Sequence, residues 1–181
     1  MGAAKKVRYA ILTPFAQEKV IAAICKLHHA DVRVVRTSSG VLIMHECVAP
    51  VYDEWDIRNI TGSFEMDEED NAQIIDITRY ISRLSPYGAI LFSSHLSDSS
   101  GFDEGLSGQI RAYRYLKGEQ KEEVHAGLFL QELDRTVEYY LLNSDDFDDS
   151  ACFSSRDVTD EDLKSIISSR PKNTNDDGEE G

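Results

Sequence analysis

Apolar residues recur along this chain with two different periods, which predict helices in some segments and strands in others. Steps of three and four predict one helix over residues 14–29 and a second over residues 68–84. Thr13 and Pro14 favour the start of the first helix, because they supply a capping side chain and a proline for the first turn. The stripes expected to face the core are Val20, Ile24 and Leu27 in the first helix and Ile74, Ile77, Ile81 and Leu84 in the second.

Short runs rich in valine, isoleucine and aromatic residues predict strands around these helices. The runs cover residues 7–12, 32–36, 41–48, 88–96 and 110–116. The second and third runs are joined by the polar residues 37–40, Thr-Ser-Ser-Gly, which are typical of a β-hairpin turn. The chain therefore alternates between strand and helix patterns as far as residue 116.

The segment from residue 120 to residue 143 fits two patterns. Residues 124–130 suit a strand, whereas a helical stripe runs through the later part of the segment. That stripe consists of Leu130, Leu133, Val137 and Tyr140. We predict a strand followed by a helix.

Taken in order, the elements over residues 7–96 read β-α-β-β-α-β, an arrangement that resembles the ferredoxin-like fold. We therefore predict an α+β protein in which two main helices pack on an antiparallel sheet, with one or two extra strands following. Such a fold hosts many unrelated functions, so it does not by itself indicate what the protein does.

Acidic side chains dominate the charge of the chain and are concentrated towards its C-terminal end. The 33 Asp and Glu residues outnumber the 19 Lys and Arg residues and give a net charge of −14. Residues 144–181 carry −8 of this charge, so we predict a globular domain over residues 1–143 followed by an acidic, largely flexible tail. Because so acidic a surface repels phosphate groups, we expect no nucleic-acid partner.

Within the tail, residues 160–169 have the pattern of a short helix, with Thr159 and Asp162 placed to form a capping box. Four apolar residues in and near this helix could contact a groove, either on the body of the same chain or on another protein. These predicted partner-binding residues are Phe153, Leu163, Ile166 and Ile167. We expect a protein partner with a basic surface, because such a surface complements the acidic flanks.

The sequence contains none of the common motifs for nucleotide binding, acyl transfer or metalloprotease activity. We therefore predict a non-catalytic protein-interaction or regulatory module that uses no cofactor. One alternative is a small enzyme or ligand sensor, and another is a structural homo-oligomer formed through an exposed strand edge.

Several features favour a cytoplasmic protein with no membrane partner. The apolar runs are shorter than a bilayer span, and no signal-peptide pattern follows the first residues. Cys25, Cys47 and Cys152 are widely separated, which is typical of a reducing compartment rather than of a disulfide framework.

Two local patterns suggest site chemistry. Cys25 and His28 share a helix face, and His45 and Cys47 share a strand face, so a helix packed on the sheet could offer all four side chains to a zinc ion. Burial of the cysteines as small apolar groups explains the same residues without a metal.

The second pattern is a serine- and glycine-rich loop over residues 97–108, preceded by His95. A loop of this kind can cover a ligand pocket, in which His95, Asp98 and Ser99 would be the polar contacts. The loop contains acidic residues and no Lys or Arg, so it does not favour a phosphate ligand. A simple connection between antiparallel strands is the alternative interpretation.

Overall fold

The computed structural model describes residues 6–48, 68–96 and 110–168, and these form an α+β protein built on one antiparallel sheet. Its strands are β1 (Lys6–Thr13), β2 (Arg33–Thr37), β3 (Gly40–Val48), β4 (Ala89–Leu96), β5 (Ile110–Leu116), β6 (Glu119–Val124) and β7 (Phe153–Ser154). They lie in the order β6-β5-β4-β1-β3-β2-β7. The helices in the same residues are α1 (Glu18–Leu27), α2 (Glu68–Leu84), α3 (Ala126–Glu132), α4 (Arg135–Leu141) and α5 (Asp160–Ser168). The predicted fold class, α+β with an antiparallel sheet, is confirmed.

Strand β1 lies in the middle of the sheet and pairs with β3 on one side and β4 on the other. Its odd-numbered residues Val7, Tyr9 and Ile11 enter one hydrophobic cluster, whereas Ala10 and Leu12 enter a second cluster on the opposite face. A strand that is buried on both faces needs apolar side chains at successive positions. This explains why the sequence is apolar at every position from Tyr9 to Leu12 rather than alternating.

Helices cover both faces of the sheet. The first cluster is closed by α1 and α2, which contribute buried residues such as Ile21, Ile77 and Ile81. The second cluster is closed by α3 and α4, which contribute Leu130 and Val137. The two main helices predicted from the sequence therefore cover one face of the sheet, and the helices within residues 120–143 cover the other.

The predicted start and buried face of the first helix are wrong. Strand β1 continues to Thr13, whose hydroxyl donates a hydrogen bond to the carbonyl oxygen of Val41 at 3.1 Å, and α1 begins only at Glu18. The side chains that α1 buries are Ile21, Ala22, Ala23 and Cys25, while Val20 and Ile24 are half-buried and Leu27 is 67% exposed. Because α1 is apolar around most of its circumference, residue spacing alone does not identify the face that meets the sheet.

The prediction for residues 120–143 placed the change from strand to helix too late. Strand β6 ends at Val124, and residues 126–132 form α3 instead of continuing the strand to Leu130. The helical stripe through this segment is real, because Leu130, Val137 and Tyr140 are buried. The stripe spans two short helices, since the backbone is extended at Leu133 and Asp134 caps α4.

Candidate functional site

The C-terminal part of the described chain, Phe153–Ser168, lies against the edge of the sheet and against α1, and we call it the docking segment. Its first two residues form β7, which pairs Phe153 with Val34 and Ser154 with Arg33. The next residue, Ser155, is buried, and its hydroxyl donates to the carbonyl oxygen of Ala30 at 2.8 Å and accepts from the N–H of Val32 at 3.0 Å. Ser155 therefore extends the hydrogen bonding between the segment and the sheet edge to residues that precede β2.

Beyond Ser155 the docking segment packs on the flank of α1. Val158 is only 2% exposed and belongs to the first hydrophobic cluster, and its carbonyl oxygen accepts a hydrogen bond from the Lys26 ammonium group. Thr159 caps α5: its hydroxyl accepts from the N–H of Asp162 at 3.1 Å, and its N–H donates to the Asp162 carboxylate at 2.9 Å. The capping box expected from the sequence is therefore present.

Three of the four predicted partner-binding residues contact the body of the same chain. Phe153, Leu163 and Ile166 are half-buried and pack against the first hydrophobic cluster. Ile167 is different, because its side chain is 74% exposed. The sequence left open whether the tail docks on its own body, and within the described residues it does.

Opposite charges accompany this docking. Arg156 of the segment is ion-paired with Asp31, and Asp149, which precedes the segment, is ion-paired with Arg33 of β2. The N–H and hydroxyl of Thr159 lower the pKa of the Asp162 carboxyl, and the positive charges of Lys19 and Lys26 on α1 lower it further. Asp162, in the acidic first turn of α5, thus lies near Lys19 and Lys26 of α1.

The four residues of the metal hypothesis lie in or just after α1 and on β3, but in different surroundings. Cys25 is fully buried, and burial raises the pKa of its thiol to about 12. His28 follows the last turn of α1 and its ring contacts that of Tyr80, with 4.4 Å between centroids. The Nδ1 of His45 donates to the carbonyl oxygen of Asp31 at 3.2 Å, and Cys47 is half-buried against the first cluster. Within the residues that the structure describes, no three His, Cys, Asp or Glu side chains are grouped so that they could hold a metal ion.

The structure describes one of the three residues of the ligand-pocket hypothesis, His95. His95 lies on β4 opposite Val7 of β1 and is half-buried. Asp98 and Ser99 lie outside the described residues, as does the serine- and glycine-rich loop.

A polar network around Arg8 is the main feature that the sequence reasoning missed. The guanidinium group donates to the Glu46 carboxylate at 2.7 Å, to the carbonyl oxygen of Tyr140 at 2.7 Å and to the Asn143 side chain at 2.8 Å. It also lies over the Tyr140 ring, 5.0 Å from the centroid. The alternation of side chains along a strand indicates that Arg8 faces the core, because it lies on the same face as the buried residues Ala10 and Leu12.

The hydroxyl groups near this network are poorly suited to acid–base catalysis. The Ser94 and Tyr140 hydroxyls are buried and have no hydrogen-bond partner among the described residues. Burial raises the pKa of Tyr140 well above its ordinary value, so the phenol stays protonated. The three hydrogen bonds of Arg8 fix α4 and residue 143 against the sheet.

Two concave regions are open to solvent, and both are bordered by polar groups that bond to each other. A cavity of about 640 Å³ lies beside the β2–β3 turn and is lined partly by Phe15, Arg36 and Asp134. The Asp134 carboxylate accepts hydrogen bonds from the N–H and hydroxyl of Ser38 and of Thr136, which hold its pKa well below its usual range. A smaller cavity of about 290 Å³ lies between the docking segment and the ends of β2 and β3.

Replacing Asp134 with alanine is expected to destabilise the protein by about 2 kcal/mol, because α4 loses its cap and the β2–β3 turn loses the two hydrogen bonds that Ser38 donates to the carboxylate. Urea unfolding of Asp134→Ala and of Asp134→Asn measures this loss. A carboxyl with a lowered pKa contributes stability above its unfolded pKa, and this contribution disappears as the pH falls through the folded value. The native chain should therefore lose more stability on acidification below about pH 4 than Asp134→Asn does. Equal acid sensitivity of the two chains would contradict this assignment.

No described helix is long and apolar enough to cross a membrane. Comparisons of the chain with protein-family models, with curated proteins and with solved structures found no match.

Proposed function

We propose that this protein is a non-catalytic protein-interaction or regulatory module that acts in the cytoplasm and binds its partner through the docking segment. The partner-binding residues are Phe153, Leu163, Ile166 and Ile167. The observation that carries the proposal is the docking of this segment on the body through half-buried apolar residues, while Ile167 at its end remains exposed. A segment that is held largely by half-buried side chains opens at lower free energy than the buried core does, which suits reversible binding.

The charge of the segment supports a partner with a basic surface. Residues 144–181 carry a net charge of −8, and α5 begins with Asp160, Glu161 and Asp162. Within the structure Asp162 already interacts with Lys19 and Lys26 of α1. A basic protein surface would complement the same acids, whereas nucleic acid would be repelled.

The order of the strands in the sheet also supports the proposal that the fold is ferredoxin-like. The neighbouring strands β4-β1-β3-β2 are all antiparallel, and α1 and α2 connect them in the sequence order that the ferredoxin-like proposal requires. In this reading β5, β6 and β7 are additions at the two edges.

The outer strand β6 favours a foreign partner over edge-to-edge assembly with a second copy. Its residues Glu119, Lys121, Glu122 and Glu123 are charged and exposed, and they form ion pairs with each other or with β5. Charged side chains on an outer strand oppose pairing with another strand.

Ile167→Asp tests the proposed function, because the substitution changes an exposed partner-binding residue without removing a group that docks on the body. We expect the full-length variant to capture at least tenfold less of the partner from native cell extract than the native chain does. Leu128→Asp is the matched control, since Leu128 is 67% exposed on α3, on the opposite face of the sheet. The captured protein should be basic and should elute with salt. Equal capture by all three chains would contradict the proposal.

A further inference from the structure

The docking segment makes the same kind of contact with α1 that the proposed function requires it to make with a partner. Lys19 and Lys26 are seven residues apart, which places them two turns apart on one face of α1. Lys26 donates to the carbonyl oxygen of Val158, two residues before the acidic first turn of α5. The half-buried Leu163 and Ile166 then cover apolar surface of the first cluster beside α1.

We propose that this contact is autoinhibitory: α1 occupies the docking segment in place of the partner, and the partner presents a basic amphipathic helix of the same design as α1. The inference rests on the proposed function, because it describes how that same segment is regulated. The partner helix carries lysine or arginine side chains two turns apart, beside an apolar stripe. The partner and α1 then compete for one surface of the segment.

The segment is attached to the body by fewer contacts than the central strands are, which makes its release a local event. Strand β7 contributes two residue pairs with β2, whereas β1 pairs along its length with strands on both sides. Ser155 and Val158 are the fully buried residues of the segment, and α5 buries none of its residues completely. Elements with few buried contacts open at lower free energy than the central sheet does.

Competition of this type weakens partner binding by a definite factor. The apparent dissociation constant equals the intrinsic one divided by the fraction of chains whose segment is free. If about one chain in a hundred has a free segment, the partner binds about a hundredfold more weakly than it would to a permanently released segment. Substitutions that weaken the α1 contact should therefore tighten partner binding.

The double variant Lys19→Glu/Lys26→Glu tests this inference in the full-length chain. Both lysines belong to the charged contact with the segment, and their reversal places Glu opposite Asp162. We expect the amides of α5 to exchange hydrogen at least tenfold faster, while those of β1 and β3 keep their protection. The matched control is Lys117→Glu/Lys121→Glu, which makes the same change of charge at exposed positions on β6 and the turn before it.

The binding probe is a fluorescent, helix-stapled peptide with the sequence of residues 17–29, which copies the basic helix. We expect it to bind Lys19→Glu/Lys26→Glu at least tenfold more tightly than the native chain or the control pair. A peptide in which both lysines are replaced by Glu should not bind. Equal affinity of the lysine peptide for the native and variant chains would overturn the inference, as would unchanged exchange in α5. Either result is independent of the capture experiment with Ile167→Asp, so failure of this inference is distinguishable from failure of the proposed function.

Discussion

Replacing Gly40 with alanine is expected to destabilise the protein by at least about 3 kcal/mol. Gly40 opens β3 with φ at +126°, a backbone conformation that side chains other than glycine rarely adopt. A Cβ at this position would stand 1.9 Å from the carbonyl oxygen of Thr13. Neither partner can move easily, because Thr13 and the neighbouring Val41 are paired in the β1–β3 ladder. The strain must therefore be relieved by breaking part of the sheet.

Urea-induced unfolding of Gly40→Ala measures this loss, and Gly127→Ala provides the matched control. Gly127 lies in α3 and has no atom within 4 Å of an added Cβ. Alanine should be tolerated there and can add up to about 1 kcal/mol of stability, because it lowers the conformational entropy of the unfolded chain. A Gly40→Ala chain that unfolds within 1 kcal/mol of the native free energy would show that the β1–β3 junction is less rigid than its geometry indicates.

The elements that could be predicted from the sequence are those whose signals are local. Of the predicted stripe of α2, Ile74, Ile77 and Ile81 are buried as expected, whereas Leu84 in the last turn is 45% exposed. Strand β5 has the expected bounds Ile110–Leu116. The β2–β3 hairpin also follows from its own turn residues. In each case the period of the side chains, or a short polar turn, carries the information.

The start of α1 could not be predicted, because pairing across the sheet overrides the local signal. Thr13 and Pro14 have the composition of a helix start, yet β1 is paired with β3 through Thr13. The loop after β1 is fixed by a hydrogen bond from the N–H of Val41 to the carbonyl oxygen of Phe15 at 3.0 Å. Since these partners lie more than 20 residues away, no window around Pro14 contains them.

The candidate site shows the same division between local and long-range information. The apolar residues and the cap of α5 are evident in the sequence, whereas the surface they cover is not. Ser155 looks like an ordinary polar tail residue, although its hydroxyl is buried between Ala30 and Val32. A role that depends on two backbone groups more than 100 residues away becomes visible only in the folded chain.

Replacing Arg8 with methionine is expected to destabilise the protein by about 3 kcal/mol, because three acceptors lose the same donor group. The Arg8 side chain is 12% exposed, so water cannot fully replace it at the partly buried carbonyl oxygen of Tyr140, whereas the exposed Asn143 side chain can bond to water instead. Glu46 keeps its ion pair with Lys6 at 3.0 Å, which limits the loss at that carboxylate. Methionine retains most of the apolar stem, so the loss measured by urea unfolding reports chiefly the guanidinium group.

Arg8→Lys is the matched control, since it keeps the charge but cannot make three directed hydrogen bonds from one planar group. We expect it to lose about half as much stability as Arg8→Met.

The pH dependence of the unfolding free energy separates the contribution of the Arg8 charge from that of its packing. Burial raises the pKa of the Glu46 carboxyl, but the hydrogen bonds and charges of Lys6 and Arg8 outweigh burial and leave the pKa lowered. The ion pair therefore stabilises the native chain above the unfolded pKa of Glu46 and is lost as the pH falls through the folded value. Arg8→Met should flatten this acid limb and Arg8→Lys should largely keep it, whereas identical acid limbs in all three chains would mean that Arg8 stabilises the fold through packing alone.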